Sequence, residues 1–216
     1  MNTKLSITMA IICLFSNAAS ASTGSVSAGY ASDYFYRGGL VATESVQAGA
    51  NYGADLSGFK ASLDIATNQS VDGGADAYVI NSGLSKEIGE LVNVYLGLHH
   101  FELVEGNSNL DVELGLNLGT VLNPSISIFR NASDDLYTFE LGANHQLDLD
   151  FVELCLHALY GNTDLTESTD ADYWLVGAKV SKSISENADL SLSYDYVDSD
   201  IIDEESILGA ALTVSF

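Results

Sequence analysis

The segment that decides the fold is Leu110-Asp111-Val112-Glu113-Leu114-Gly115-Leu116-Asn117-Leu118, in which apolar and polar residues alternate at every position. A period of two is typical of a β-strand, because successive side chains of a strand point to opposite faces. One face of this strand is continuous leucine and valine, whereas the other is small, polar or acidic. The segment therefore predicts a strand that separates an apolar environment from a polar one.

The same alternation recurs in about twelve segments between residue 22 and residue 216. It is weakest around Ile126 and Ile128. The connectors are rich in Gly, Asn, Asp and Ser, which favour turns. Long connectors are expected at 68–76, 104–109, 161–172 and 198–205, and short ones at 89–90 and 148–150. Long connectors that alternate with short ones are typical of an up-and-down barrel with one elaborate rim.

The composition of the polar face favours a membrane barrel over a soluble sandwich. In a sandwich, the apolar face forms the core and the polar face meets water. Here the polar face is rich in Gly, Ser and Ala rather than in Lys and Glu, as expected for a lumen. Aromatic residues lie near the predicted strand ends, where the interface girdles of membrane barrels lie: Tyr30, Tyr34, Tyr36, Tyr137, Tyr160, Trp174 and Tyr196. We predict an all-β fold over residues 22–216, a transmembrane antiparallel up-and-down β-barrel of about 12 strands, with a soluble acidic β-sandwich as the alternative.

The charge balance excludes several classes of protein. The 216 residues include 7 Lys and Arg against 30 Asp and Glu, which gives a formal net charge of −23. A nucleic-acid binder needs clustered Lys and Arg, and so does a polybasic membrane-surface helix. The hydrophobic fraction of 47% is too high for a disordered acidic chain. No apolar run reaches the roughly 18–20 residues of a spanning helix, which excludes a polytopic helical membrane protein.

Residues 1–21 have the features of a cleaved secretory signal peptide. Lys4 supplies a positive charge, residues 5–15 are apolar, and an Ala-x-Ala site ends at Ala21. Cleavage there would leave Cys155 as the single cysteine, so no intramolecular disulfide is expected.

Two motifs resemble those of known outer-membrane proteins. The C-terminal residues Leu208, Ala210, Leu212, Val214 and Phe216 alternate and end in Phe. This pattern resembles the strand signal by which Gram-negative outer-membrane barrels are handed to the barrel-assembly machinery, with Leu212, Val214 and Phe216 as its residues here.

The stretch Gly29-Tyr30-Ala31-Ser32-Asp33-Tyr34-Phe35-Tyr36-Arg37-Gly38-Gly39 resembles the S-D-Y-x-x-R-G opening of the TorF-type porins, a proteobacterial family. The residues at 46–52 and 58–62 are similar to that family's next hairpin, so the likeness covers roughly residues 24–100. The resemblance implies a porin in the outer membrane of a Gram-negative bacterium, with outer-membrane lipid and small hydrophilic solutes as its partners. It implies no solute in particular.

The parity of the strands predicts which charged residues line the lumen. The pore-lining candidates are Asp33, Arg37, Lys60, Asp64, Asp111, Glu113, Glu140, Glu153, Lys179 and Asp195. Seven acidic residues against three basic ones would concentrate cations. Asp33 and Arg37 lie four residues apart on one face, which suits either a charge pair at the lumen or a structural salt bridge. The alternative to an open, cation-leaning pore is a closed lumen in which these charges pair with one another.

The sequence offers no catalytic residues, no cofactor site and no metal motif. The chain contains neither G-x-S-x-G nor H-E-x-x-H, and we expect no enzyme. Carboxylates at 164–172 and 198–205 are suitable ligands for Ca²⁺ but lack the spacing of an EF-hand, so a solvated acidic rim is the simpler interpretation. We expect passive diffusion of small hydrophilic solutes or ions, the alternative being a non-conducting barrel whose acidic loops serve recognition or envelope stability.

Overall fold

The computed structural model describes residues 22–104, 106–166 and 168–216, and these form twelve antiparallel strands. The predicted signal peptide at 1–21 lies outside the described residues. The strands are β1 (Ser22–Tyr36), β2 (Gly39–Leu56), β3 (Phe59–Ser70), β4 (Ala77–Ile88), β5 (Val92–Leu103), β6 (Ser108–Leu118), β7 (Ser125–Asn131), β8 (Tyr137–Leu149), β9 (Val152–Thr166), β10 (Thr169–Ser185), β11 (Ala188–Ser199) and β12 (Glu205–Ser215).

Each strand pairs with its sequence neighbours, and β1 pairs with β12, so the sheet closes into a barrel. Val26 lies opposite Val214 and Ala28 opposite Leu212 at this closing seam. The backbones of Gly24 and Phe216 exchange two hydrogen bonds, of 3.0 and 2.9 Å. Ser22 and Phe216 therefore lie at one end of the barrel, which we call the proximal end, and the β1–β2 turn lies at the opposite, distal end.

The barrel is apolar outside and polar inside. Leu114 is 58% exposed, whereas its neighbour Glu113 is only 6% exposed. A soluble sandwich would show the reverse, because its apolar face would be the buried one. A closed ladder also satisfies the backbone hydrogen bonds that lipid cannot, so this arrangement is that of a transmembrane barrel. The prediction of an all-β barrel of about 12 strands is confirmed, and the soluble sandwich was wrong.

The described part of the chain holds no helix long and apolar enough to cross a membrane.

Two connectors differ from expectation because strands continue beyond the apolar band. The expected loop at 161–172 is a hairpin, since β9 runs to Thr166 and β10 begins at Thr169. Likewise β3 runs to Ser70, inside the expected loop at 68–76. A strand that extends into water needs no apolar face, and its Gly, Asn and Asp residues were therefore interpreted as loop.

Candidate functional site

The β1–β2 turn folds into the distal mouth of the barrel. Its two residues, Arg37 and Gly38, have φ angles of 44° and 85°. Gly38 is buried, and its carbonyl oxygen accepts a hydrogen bond of 2.8 Å from the Ser199 hydroxyl. A Cβ atom on Gly38 would lie 3.1 Å from the Tyr173 ring, so only glycine lets the turn approach this closely. The turn is thereby held against β10 and β11.

Arg37 occupies a position at which a left-handed backbone costs a non-glycine residue on the order of 1 kcal/mol. Two-residue hairpin turns of this kind favour Asn or Gly at the first position. The strain is offset by the contacts of the side chain, which is only 15% exposed. The guanidinium forms an ion pair with Asp111, whose side chain is 3% exposed, and lies 4.1 Å from the centroid of the Phe129 ring.

Aromatic side chains extend this contact across the interior. Tyr36 stacks on Phe101 with ring centroids 4.2 Å apart and an interplanar angle of 8°. Phe35 meets Tyr173 edge to face at 6.0 Å, and the Tyr173 hydroxyl donates a 2.5 Å hydrogen bond to Glu140. These contacts join strands that are not neighbours in the sheet, so they cross the lumen. We call this set the transverse belt: Phe35, Tyr36, Arg37, Phe101, Asp111, Phe129, Glu140 and Tyr173.

A small apolar cluster fills the interior beside the transverse belt. Ala31, Val197 and Ile207 are buried there, with Phe35 and Leu175 packed against them. The distal interior on the side of β10, β11, β12 and β1 is therefore filled with side chains.

On the proximal side of the transverse belt, polar side chains pass over a glycine on the adjacent strand. Each forms a hydrogen bond with a residue of the strand beyond it. His157 Nε2 and Asp195 Oδ1 are 2.6 Å apart and span Gly177, which lies opposite both residues. The Tyr95 hydroxyl bonds to that of Ser127 above Gly115, which lies opposite Tyr95. A Cβ on Gly177 or Gly115 would overlap these side chains, at 1.8 and 2.0 Å. Glycine on the middle strand is what permits each contact.

His99 forms a further polar contact in the same layer. Its Nε2 lies 2.5 Å from Glu113, and its Nδ1 lies 3.0 Å from Asn81 Oδ1. Glu113 is therefore paired although it is buried.

Cavities lie on both sides of the transverse belt. A distal cavity of about 280 Å³ is lined by Asn109, Asn131, Asp134 and residues of the transverse belt. On the proximal side there are cavities of about 740, 320 and 300 Å³. The distal cavity shares no lining residue with any of these three.

Five of the ten pore-lining candidates form paired contacts inside the barrel, namely Arg37 and four acidic residues. These are Asp111 with Arg37, Glu113 with His99, Glu140 with Tyr173 and Asp195 with His157.

The remaining candidates lie along the walls. Lys60 and Asp64 line the cavity of about 320 Å³, where Lys60 also pairs with Glu87 at 2.6 Å. Glu153 and Lys179 line the cavity of about 740 Å³, near the proximal end. Asp33 lies opposite Thr43, on the same side of β1 as the buried Ala31.

Arg37 forms its ion pair with Asp111 rather than with Asp33, which differs from the pair considered from the sequence. The reason is geometric, because a register shift between Tyr34 and Phe35 and the positive φ of Arg37 turn its side chain away from β1. Tyr36, expected in an interface girdle, stacks on Phe101 inside the barrel for the same reason.

The aromatic residues of the interior were not predicted from the sequence. Tyr95, Phe101, Phe129 and Tyr173 occupy positions that strand parity assigns to the polar face. The available signal was a local break in the alternation, such as Val94-Tyr95-Leu96 and Ile128-Phe129, where apolar residues occur in succession.

The acidic loops at the distal rim are internally bonded. Asn162 donates hydrogen bonds of 2.8 and 2.7 Å to Asp170 and Asp172, and the Tyr160 hydroxyl donates to Asp172 at 2.9 Å. Within the described residues, no group of three or more His, Cys, Asp or Glu side chains is arranged to hold a metal ion. In the β3–β4 loop, the Asp72 carboxylate accepts hydrogen bonds from the hydroxyls of Thr43 and Ser70. These bonds hold the pKa of Asp72 below its usual range, and the bond from Thr43 has the larger effect.

Comparison with known proteins identifies the fold. Neither a protein-family model nor a curated protein matches the chain. Among solved structures, the chain is similar to the KdgM porin in complex with disordered oligogalacturonate, at 11% identity and a TM-score of 0.57 over 89% of this chain and 99% of that one. The NanC porin matches at 11% identity and 0.57 over 89% and 98%. The COG4313 outer membrane channel from Pseudomonas putida F1 matches at 10% and 0.58 over 92% and 96%. At these identities the likeness concerns the fold alone, which is that of an outer-membrane β-barrel.

Proposed function

We propose that this chain is a porin-like channel of the Gram-negative outer membrane, through which small hydrophilic solutes or ions diffuse passively. The observation that carries the proposal is the inverted burial of the barrel, apolar outside and acidic inside. Such a barrel is stable in lipid and encloses a polar lumen. The chain acts as a channel and not as an enzyme.

The charges of the interior favour cations. An excess of one charge in a narrow tube concentrates the opposite ion. The acidic residues along the walls are Asp64, Asp111, Glu113, Glu140 and Glu153, and the basic residues are Arg37, Lys60, Lys179 and Lys182. The KdgM porin was solved with oligogalacturonate, a polyanion. The acidic interior of the present barrel disfavours that class of solute, so the shared fold does not extend to a shared solute.

The TorF-type assignment, the signal peptide at 1–21 and recognition by the barrel-assembly machinery complete the proposal. The S-D-Y-x-x-R-G residues support the first, and the alternating C-terminal strand supports the last, since Leu212 and Val214 pair with β1 at the seam. Both chain ends then lie on the periplasmic side, and the acidic distal rim faces outward.

A second candidate is a non-conducting barrel with surface loops for recognition or envelope stability. It is favoured by one observation, namely that the transverse belt crosses the lumen between the distal and proximal cavities.

Single-channel recording separates the two candidates. The mature protein is refolded, its insertion is confirmed by heat-modifiable gel mobility, and a salt gradient is applied across a planar bilayer. Discrete steps with a cation-selective reversal potential support the proposal. Anion-selective steps would contradict the cation preference, and silence after confirmed insertion would favour the closed barrel.

A further inference from the structure

We infer that the centre of the transverse belt is a receptor for a guanidinium group of a small organic cation, and that Arg37 occupies it as a tethered plug. The inference rests on the proposed channel function and names the class of solute that the channel would recognise. It starts from the surroundings of Arg37.

The site is built for a planar cation. The Asp111 carboxylate pairs with the guanidinium, while the Phe129 ring covers its face at 4.1 Å and the Tyr36 ring lies 5.2 Å away. A guanidinium can bind a carboxylate through its edge while an aromatic ring covers its flat face, a geometry that a tetrahedral ammonium does not have. Every partner of the group is supplied by other strands or by the neighbouring Tyr36, so the site does not depend on the side chain of residue 37.

The Arg37 side chain is attached to a backbone position whose conformation disfavours residues other than glycine and asparagine. Arg37 takes a left-handed conformation in a turn whose first position favours Asn or Gly. Strain of this kind accumulates at functional sites where other contacts compensate for it. The Ser199 bond to the Gly38 carbonyl and the packing of Tyr173 against Gly38 hold the turn in place independently of the guanidinium.

A solute that carries a guanidinium group can therefore take the place of the side chain. Its charge would be drawn toward the interior by Asp111, Glu113 and Glu140, and the distal cavity of about 280 Å³ leads to the site from outside. Displacing Arg37 would remove the contact that bridges β1 to β6 across the lumen. The bound cation would then occupy the position of the Arg37 side chain at the centre of the transverse belt.

The test removes the plug and supplies its functional group from solution. Arg37→Asn retains a residue that suits the left-handed turn, so the hairpin should fold. Single-channel current is recorded for the wild type, for Arg37→Asn and for Arg37→Asn/Asp111→Asn, each with millimolar guanidinium chloride, with urea as the neutral isostere, or with NaCl.

We expect Arg37→Asn to conduct more than the wild type and to be blocked by guanidinium but not by urea or NaCl. The block should weaken about ten-fold or more in the double variant, because the carboxylate partner is gone. Equal block by guanidinium and urea, or equal block in the two variants, would overturn the inference and leave the channel function intact.

A second measurement does not depend on conductance. Millimolar guanidinium should raise the temperature at which folded Arg37→Asn loses its heat-modifiable mobility, with no such shift for urea or for the double variant. If the variants are folded and silent but show this shift, the channel proposal fails and the receptor stands. The absence of the shift contradicts the receptor.

Discussion

Glycine determines which residues can meet inside this barrel. Three polar contacts reach over a glycine on an intervening strand: His157 to Asp195 over Gly177, Tyr95 to Ser127 over Gly115, and Tyr173 to Glu140 over Gly161. In each case the glycine has no side chain, and a longer side chain from the adjacent strand passes through the space that is left. The interior is therefore specified by small residues as much as by the charged residues that they bring together.

Gly161→Ala should destabilise the barrel. The added methyl group would lie 2.0 Å from Cζ of Tyr173, which is 1% exposed and has no free space to enter. Overpacking of this kind costs about 1–3 kcal/mol. The free energy of unfolding in urea, measured after refolding into lipid vesicles, should fall by about that amount.

Gly119→Ala is the matched control, since the nearest atom to its Cβ would lie at an ordinary 3.7 Å. Its effect should stay within about 0.5 kcal/mol. Equal losses in the two variants would show that the ring does not constrain position 161.

Tyr95→Phe should remove the hydrogen bond between the Tyr95 and Ser127 hydroxyls. Ser127 is 6% exposed, so the loss costs about 1 kcal/mol. A double-mutant cycle with Ser127→Ala measures the coupling, and the double variant should lose less stability than the sum of the single variants. Additive losses would mean that the two hydroxyls do not interact.

The sequence pattern of the strands differs between the part of the barrel in lipid and the part in water. Within the apolar band, strict alternation revealed the strands in the sequence, and even the weak segment at Ile126 forms β7 (Ser125–Asn131). Beyond the band, β9 and β10 extend as a hairpin without an apolar face, which periodicity could not detect. The position of Arg37 could not be predicted either, because a register shift and a left-handed turn redirect its side chain.

Strand parity can be read from the sequence because it is a local property of each strand, and the assignment of the acidic residues to the pore lining stays a prediction. The transverse belt could not be read in this way, because Arg37 and Asp111 are 74 residues apart and meet only once the barrel closes. The interior aromatic residues interrupt the alternation of the sequence, but these interruptions do not indicate which strand each aromatic ring contacts.

The β3–β4 loop should loosen in acid. The pKa of Asp72 is lowered in the folded loop by the hydroxyls of Thr43 and Ser70, so its contribution to loop order is present above the unfolded value of about 4. That contribution is lost as the pH falls through the lower folded value. Hydrogen–deuterium exchange at residues 71–76 should therefore increase at low pH, after correction for intrinsic rates.

Asp72→Asn should remove this pH dependence, because the amide does not titrate. The loop is outside the apolar band, so the rest of the barrel should exchange as in the wild type. An unchanged pH profile in Asp72→Asn would contradict the role assigned to the carboxylate.

As a whole molecule, the barrel separates its charges along its axis. Lysines 60, 179 and 182 line proximal cavities, whereas the distal rim carries the clustered carboxylates at 164–172 and 198–205. An ion that crosses from the distal side would meet negative charge first and mixed charge afterwards. Selectivity should therefore respond to charges inside the barrel more than to the total charge of −23.

Glu153→Lys should reduce the preference for cations. Glu153 lines the proximal cavity of about 740 Å³ together with Lys179, and reversing its charge changes that lining from four acidic and two basic residues to three of each. The ratio of cation to anion permeability, derived from the reversal potential in a salt gradient, should fall roughly two-fold.

Glu102→Lys makes the same change of charge on the outer surface, opposite Tyr78, and should leave the ratio unaltered. Equal shifts in both variants would indicate that surface potential, and not the lining, sets the selectivity.

The closing seam between β1 and β12 has a mechanical consequence. It pairs small residues, such as Gly29 with Ala211 and Ala31 with Gly209, and Ser22 and Phe216 lie beside it. A force applied between Ser22 and Phe216 would load the hydrogen bonds of this ladder one after another and not all at once. Under this tension the seam would open progressively from the proximal end, at low force. Under shear along the strands, the hydrogen bonds of the same ladder would bear the load together.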